Sequence, residues 1–266
     1  MQTRPPSHPE YLLEKFVHHL LGDDPHRCRS LIADAFASGM DAQRLLSEVL
    51  WPASECVQQL KHDSVLLPQL FAHATRMLAS LASEAAVRIP RMAAGQGAPR
   101  ATARCLFVAS APGEPSDAGA HLLTLLAEAH GFTVYFAGAK LTEEEIFFAL
   151  SRLEPDAVLI HGSIEQERSA TRDLLARLRA AHFWPEIQTG VTGAILGAGG
   201  CGADVEARLP VELLEMLALC PEHRAAGPRA AAKTLVMPRD AAIETCDRAI
   251  RDLMLHFFPP RFRGIK

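Results

Sequence analysis

The sequence predicts an α/β protein in which a four-helix bundle precedes a doubly wound parallel sheet. Two observations carry this. Residues 11–88 read only as amphipathic helices, whereas from Arg104 short apolar runs alternate with amphipathic stretches, the pattern of βαβ units. Between them, "PRMAAGQGAPRATA" (90–103) is rich in Ala, Gly, Pro and Arg without a periodic apolar face, and reads as a linker.

Each helix has its own punctuation. "YLLEKFVHHLLG" places Leu12, Leu13, Phe16, Val17, Leu20 and Leu21 on a stripe closed by Gly22. "DPHRCRSLIADAFASG" starts at an Asp cap beside Pro25 and stops at Gly39. "DAQRLLSEVLWPASECVQQL" contains Pro52, which removes a backbone donor and predicts a kink or a division. "LLPQLFAHATRMLASLASEAAVRI" carries Pro68 in its first turn. Short connections make this an antiparallel bundle.

In the second half, "CLFVAS" precedes the helix "AGAHLLTLLAEAHG", and "FTVYFAG" precedes "LTEEEIFFALSRLEP", with Thr142 as its cap. "DAVLIHGS" precedes "SATRDLLARLRAAHF", "EIQTGVTG" follows, and "ADVEA" leads into "RLPVELLEMLAL". The glycine-rich "GAGGCG" (Gly197–Gly202) opens no helix and reads as a flexible loop. Residues 221–266 add no fifth βα unit. "PRDAAIETCDRAIRDLMLHFF" aligns Ile243, Cys246, Ile250, Met254 and Phe257 as one amphipathic helix packing back on the chain, ahead of a basic "PPRFRGIK". The expected divisions are therefore a helical bundle at 11–89, a linker at 90–103, the α/β domain at 104–220 and a helical extension at 221–266.

Composition limits the function. With 27 basic and 31 acidic residues the net charge is −4, which offers no global field for nucleic acid. No apolar run is long enough for a membrane span, and the N-terminus lacks an apolar signal core, so a cytoplasmic protein is expected. The six cysteines form no CxxC pair, which argues for reduced, mainly buried thiols and against zinc. No GxSxG, HExxH, Walker or GxGxxG motif occurs, so no enzymatic constellation emerges.

The stretch "SAPGEPSDAGAH" (Ser110–His121) joins the first apolar run to a helix start, the place where open α/β sheets hold ligands. Ser116 or Asp117 can cap that helix, and Gly119 permits close approach at its start. His161 ends the third strand on the ligand side of the sheet; as a bland alternative it is a hydrogen-bonded histidine filling a closed groove. His121 falls on a polar helix face and is expected in solvent.

The order of elements and three stretches give the chain a resemblance. "HLLGDDPHRCRSLIADAFASGMDAQRLLSEVLWPASECVQQL", "EAHGFTVYFAGAKLTEEEIFFALSRLEPDAVLI" and "GADVEA" are similar in wording and order to the cobalamin-binding module, a helical cap followed by a Rossmann/flavodoxin-like domain. The resemblance spans residues 12–218. It implies a cofactor site made by the first βα loop, where the family carries Asp/Glu-x-His-x-x-Gly with the histidine on cobalt. Here Glu114 and Gly119 fit the pattern, Asp117 lies between them, and Ser116 stands at the histidine position. A serine hydroxyl is a poor cobalt ligand beside imidazole.

Three further positions depart from the family. His161 replaces a serine lining the groove for the nucleotide tail, and Gly190-Val191 replaces a Gly-Gly pair, so the valine is expected to intrude there. Leu60 falls where a tryptophan covers the corrin, three residues before Asp63. Near the place of an upper Glu-His pair stand Leu70 and Phe71, with His73 two positions on. His161 and His73 are the candidate metal ligands.

The resemblance implies a non-enzymatic sensor or regulator of the AerR/PpaA antirepressor type. Such a protein would bind a tetrapyrrole and act on transcription through a partner protein, without binding DNA itself. Cobalamin in the usual base-off, histidine-on form is disfavoured by the four departures; heme is the alternative cofactor. A cofactor-free module and a corrinoid carrier for methyl transfer are the competing functions.

Overall fold

The computed structural model describes residues 9–89, 104–138, 141–180, 187–197 and 199–219, all within one compact unit, 1–221. The expected linker and C-terminal helix lie outside the described residues. The helical layer contains α1 (Pro9–Leu21), α2 (Pro25–Ala37), α3 (Ala42–Leu45), α4 (Trp51–His62) and α5 (Pro68–Ala86). Asp24 caps α2 by accepting from Arg27 N at 3.0 Å, with Pro25 at the helix start. The division expected at Pro52 takes a specific form: a π-helical turn, Leu46–Leu50, separates α3 from α4 and delivers Trp51 at the first position of α4.

The α/β part runs β1 (Cys105–Ser110), α6 (Ala118–Ala129), β2 (Thr133–Gly138), α7 (Glu143–Leu153), β3 (Ala157–His161), α8 (Arg168–Ala180), β4 (Gln188–Thr192), β5 (Val205–Ala207) and α9 (Pro210–Leu219). All strand pairs are parallel, in the order β2-β1-β3-β4-β5. That order reverses direction between β1 and β3, and the crevice past their carboxyl ends is the switch point at which such sheets hold ligands. Ser110 and His161 are register partners there.

Alternation along the strands separates two cores. Leu106, Val108, Ala157 and Leu159 join α6, α9 and the helical layer; Phe107, Ala109, Val158, Ile160 and Val191 join Ile146 and Leu150 of α7 and Leu174 and Leu178 of α8. By the same alternation His161 faces α6. The helical layer covers α6 from outside, giving the order helices, α6 and α9, sheet, α7 and α8.

Thr142 caps α7 in a full capping box with Glu145. The stretch expected as a loose glycine loop is held in place. Arg168 donates to the Ile195 carbonyl, Arg172 to that of Gly200 and Arg179 to that of Gly202, while Glu206 accepts from Cys201 N and Ala203 N. Arginines one turn or two apart on α8 supply what the glycines cannot.

Candidate functional site at the carboxyl ends of the strands

The loop after β1 is fixed to the loop after β3. Ala111 N donates to the His161 carbonyl at 2.7 Å, and the Glu114 carboxylate accepts from Ser163 N at 2.7 Å and Ser163 Oγ at 2.6 Å. Glu114 is 2% exposed, and burial pushes its carboxyl above the usual range while Ser163 pulls it back; the Glu167 carboxylate adds to the rise. Ser116 is buried, and its Oγ accepts from Ala118 N at 3.2 Å, so the serine meets an orphan donor of α6. Asp117 is exposed and makes no capping hydrogen bond.

His161 is 2% exposed and sits in a slot between backbones. A Cβ on Gly119 would collide with its Nε2, and one on Gly193, whose φ is 103°, would stand 2.9 Å from its Cε1 and Nδ1. The Trp51 ring meets it edge to face, with centroids 4.9 Å apart and an interplanar angle of 70°. Nδ1 makes no hydrogen bond of ordinary geometry, although the Thr192 carbonyl is the backbone group that acts on it. Burial dominates and holds the imidazole pKa down at about 4, so the ring is neutral at physiological pH.

Several expectations are corrected by this geometry. Val191 does not intrude on the groove: it packs on the α7 and α8 side of the sheet, the face opposite His161. Gly190 faces the α6 side, but a Cβ there would lie 2.7 Å from Leu159 Cδ2 and 3.4 Å from Leu213 Cδ1, so leucines fill that space. Leu60 does not face the crevice. It stands nine residues after Trp51, about half a revolution round α4, and packs as a partly buried member of the helical core. The tryptophan over the strand ends is Trp51, which counting back from Asp63 misses.

His73 is not brought to His161: its Nε2 pairs with Asp23 at 2.6 Å, in the α1–α2 turn. As placed, neither nitrogen of His161 faces the crevice, since Nε2 abuts Gly119 and Nδ1 abuts Gly193. The metal-ligand expectation for both histidines therefore finds no support in their positions. His121, expected in solvent, is half-buried, bonded to Ser83 Oγ at 2.9 Å and tilted against Phe136. Among the described residues no three His, Cys, Asp or Glu side chains gather as a metal site.

An open cleft of about 250 Å³ adjoins the slot, lined by Glu55, Cys56 and Gln59 of α4 and by Ser163, Ala194 and Arg208 after β3, β4 and β5. Burial raises the Glu55 carboxyl, against the lowering effects of the Arg208 cation and the Trp51 indole N–H. Trp51 Nε1, Glu55 Oε1, both amide atoms of Gln58, Ser110 Oγ and His161 Nδ1 are buried without hydrogen-bond partners of ordinary geometry. Trp51, Glu55 and Gln58 recur at helical spacing, so one face of α4 contributes a seam of buried polar atoms, within which the Trp51 indole N–H acts on the Glu55 carboxyl. Periodicity alone could show that face but not what it meets.

These residues do not fit a cobalamin with its nucleotide tail inserted. The position where the resemblance expects a lower cobalt ligand holds a serine already engaged by Ala118 N, and the space beside Gly119 and Gly190 is filled by His161, Leu159 and Leu213.

No protein-family model matches the chain, and a search of curated proteins finds no match. Among solved structures it is similar to the Methanosarcina barkeri monomethylamine corrinoid protein, with 17% identity over 79% of this chain and 98% of that one, at a TM-score of 0.57. A novel cobalamin-binding protein from Desulfitobacterium hafniense DCB-2 has 16% identity, covering 77% and 96% of the two chains, at a TM-score of 0.38. The methanol:cobalamin methyltransferase complex of Methanosarcina barkeri has 15%, covering 79% and 81%, at 0.35. The first likeness shows the fold: a helical cap followed by a Rossmann-like sheet domain, the architecture of a corrinoid protein.

Proposed function

We propose that this chain is a non-enzymatic sensor or regulator that takes a tetrapyrrole in the crevice at the β1/β3 switch point and acts on transcription through a partner protein. The observation that carries the reading is the pairing of a kept crevice with a lost ligand. The α4 face stands over the strand ends with buried polar atoms, while Ser116, at the position where the resemblance expects the cobalt ligand, accepts from Ala118 N at the start of α6. The likeness to the Methanosarcina barkeri corrinoid protein brings a corrinoid carrier into consideration. A carrier cycling its cobalt needs a lower ligand, and Ser116 Oγ is not offered for that role. A net charge of −4 offers no global field for DNA, so control of transcription is assigned to a protein contact.

A second reading is a module working without a cofactor, favoured by the close packing of His161 against Trp51. The test is to mix the purified protein separately with hydroxocobalamin, adenosylcobalamin and hemin, desalt, and record spectra. Retained corrin or porphyrin absorption supports the tetrapyrrole sensor. Colourless protein from all three mixtures removes it and leaves the cofactor-free module.

A further inference from the structure

The open cleft beside the strand ends sorts its polar groups by sign. Its α4 wall carries Glu55, Cys56 and Gln59, and facing them stand Ser163, Ala194 and Arg208. Among the described residues of this lining Arg208 is the cation, on an exposed side chain. The other strongly polar groups accept. Glu55 offers its carboxylate. Gln59 donates its amide NH2 to the Asp63 carboxylate, at 2.9 and 3.0 Å, which leaves its carbonyl oxygen over. Ser163 donates both its N–H and its O–H to Glu114, so towards any further group its Oγ can only accept. Burial raises the Cys56 thiol, which keeps that side chain uncharged.

The two charges of the cleft act on each other without meeting. The Arg208 cation lowers the Glu55 carboxyl, yet among the described residues neither side chain belongs to an ion pair. The Trp51 indole N–H is the hydrogen-bonding group that acts on the Glu55 carboxyl. A half-buried carboxylate placed for stability alone would be expected to close on the nearby cation. Here a cleft of about 250 Å³ lies between them, below the roughly 300–1,000 Å³ of pockets that enclose drug-sized ligands. Its own occupant is therefore of the size of a small metabolite.

We infer that this cleft is a binding site for a small amino acid, with the carboxylate on the Arg208 guanidinium and the ammonium among the Glu55 carboxylate, the Gln59 carbonyl and the Ser163 hydroxyl oxygen. An ammonium is donor-only and suits a wall of acceptors, and the guanidinium fork suits a carboxylate. A plain carboxylate would set like charge against Glu55, and a plain amine would do the same against Arg208. A molecule carrying both charges satisfies both walls. It would also tie α4 of the helical layer to the loops after β3 and β5, which gives a regulator a signal to respond to. The inference goes beyond the tetrapyrrole reading and does not rest on it.

The test titrates the full chain with glycine, L-alanine and L-serine, by calorimetry and by thermal unfolding. Propionate and ethylamine, which carry one of the two charges each, are titrated in parallel. At least one amino acid should bind at millimolar concentration or below and raise the unfolding midpoint, with both one-ended compounds at least about tenfold weaker. Arg208→Gln and Glu55→Gln should each weaken the amino acid at least about tenfold, and Arg208→Lys should keep part of the affinity, retaining the charge without the fork. Propionate binding as tightly as L-alanine would make this a plain anion site and overturns the inference. So does amino-acid binding that neither substitution to Gln changes, and so does failure of all three amino acids to bind. If Glu55→Gln does not fold, Arg208→Gln, at an exposed side chain, gives the readout. The result is separable from the cofactor spectra: colourless protein leaves this site standing, and retained corrin or porphyrin colour does not establish it.

Discussion

Trp51 and His161 meet edge to face at 4.9 Å, joining the first residue of α4 to the last residue of β3. This contact links the helical layer to the sheet at the switch point, so it bears on both stability and access. Trp51 is 1% exposed, and its truncation should leave a large void. Trp51→Ala is expected to cost about 3–5 kcal/mol in urea unfolding. Trp51→Phe should cost less, because it keeps an aromatic edge on His161 and fills most of the void, losing only the indole N–H that acts on the Glu55 carboxyl. If the two substitutions cost the same, the contact is not what holds α4 on the strand ends.

The same burial makes stability depend on pH. The His161 pKa is about 4 when folded, against 6.5 for the unperturbed side chain. Between those values the unfolded chain binds a proton at this position that the folded chain does not, so stability falls as pH is lowered from 6.5 towards 4. A full shift of this size corresponds to about 3 kcal/mol. His161→Gln should lose that dependence. Urea midpoints measured at several pH values across the window check it: a wild-type slope no steeper than that of the variant would mean the imidazole is not held neutral.

Much of the fold was legible for a physical reason, and the site was less so. Strands of a parallel sheet are covered on both faces, so they appear as short apolar runs, and "CLFVAS" coincides with β1 (Cys105–Ser110). The same coverage hides direction. "QTGVT" is buried at every position, so nothing in its pattern tells that Val191 faces α8 while Gly190 faces α6. Trp51 was missed because three residues back from Asp63 is Leu60, which lies nine positions further along α4 and about half a revolution away. Ser163 and Arg208 follow β3 and β5 in loops, where no periodicity marks them, and they become site residues only once parallel pairing brings those strand ends together. Ser116 is the exception: its role as a helix-start acceptor was readable from local chemistry alone.

Glu114 carries the opposite pH sign to His161. Its folded pKa is raised, mainly by burial, so the folded state holds its proton more tightly and this group's contribution falls as pH rises above the unfolded carboxyl value. Its two hydrogen bonds to Ser163 nevertheless join the loops after β1 and β3. Glu114→Ala leaves Ser163 N without that acceptor and should cost about 2–4 kcal/mol. Hydrogen exchange locates the effect: the Ser163 amide should lose protection before the amides of β1. Equal loss across the sheet would show global weakening instead of a released loop.

Ser116 separates capping from coordination. Because its Oγ accepts from Ala118 N, Ser116→Ala should cost about 1 kcal/mol, and Ser116→Asp, which supplies another capping oxygen, should recover most of it. Ser116→His restores the residue type that the resemblance expects at this position, but it leaves His161, Leu159 and Leu213 filling the space beside Gly119 and Gly190. With hydroxocobalamin, this single substitution should therefore yield no base-off, histidine-ligated spectrum. The double variant Ser116→His with His161→Ala opens part of that space and should bind more hydroxocobalamin than either single variant. If Ser116→His alone gives the histidine-ligated spectrum, the groove is not closed by its neighbours and the missing histidine was the whole difference.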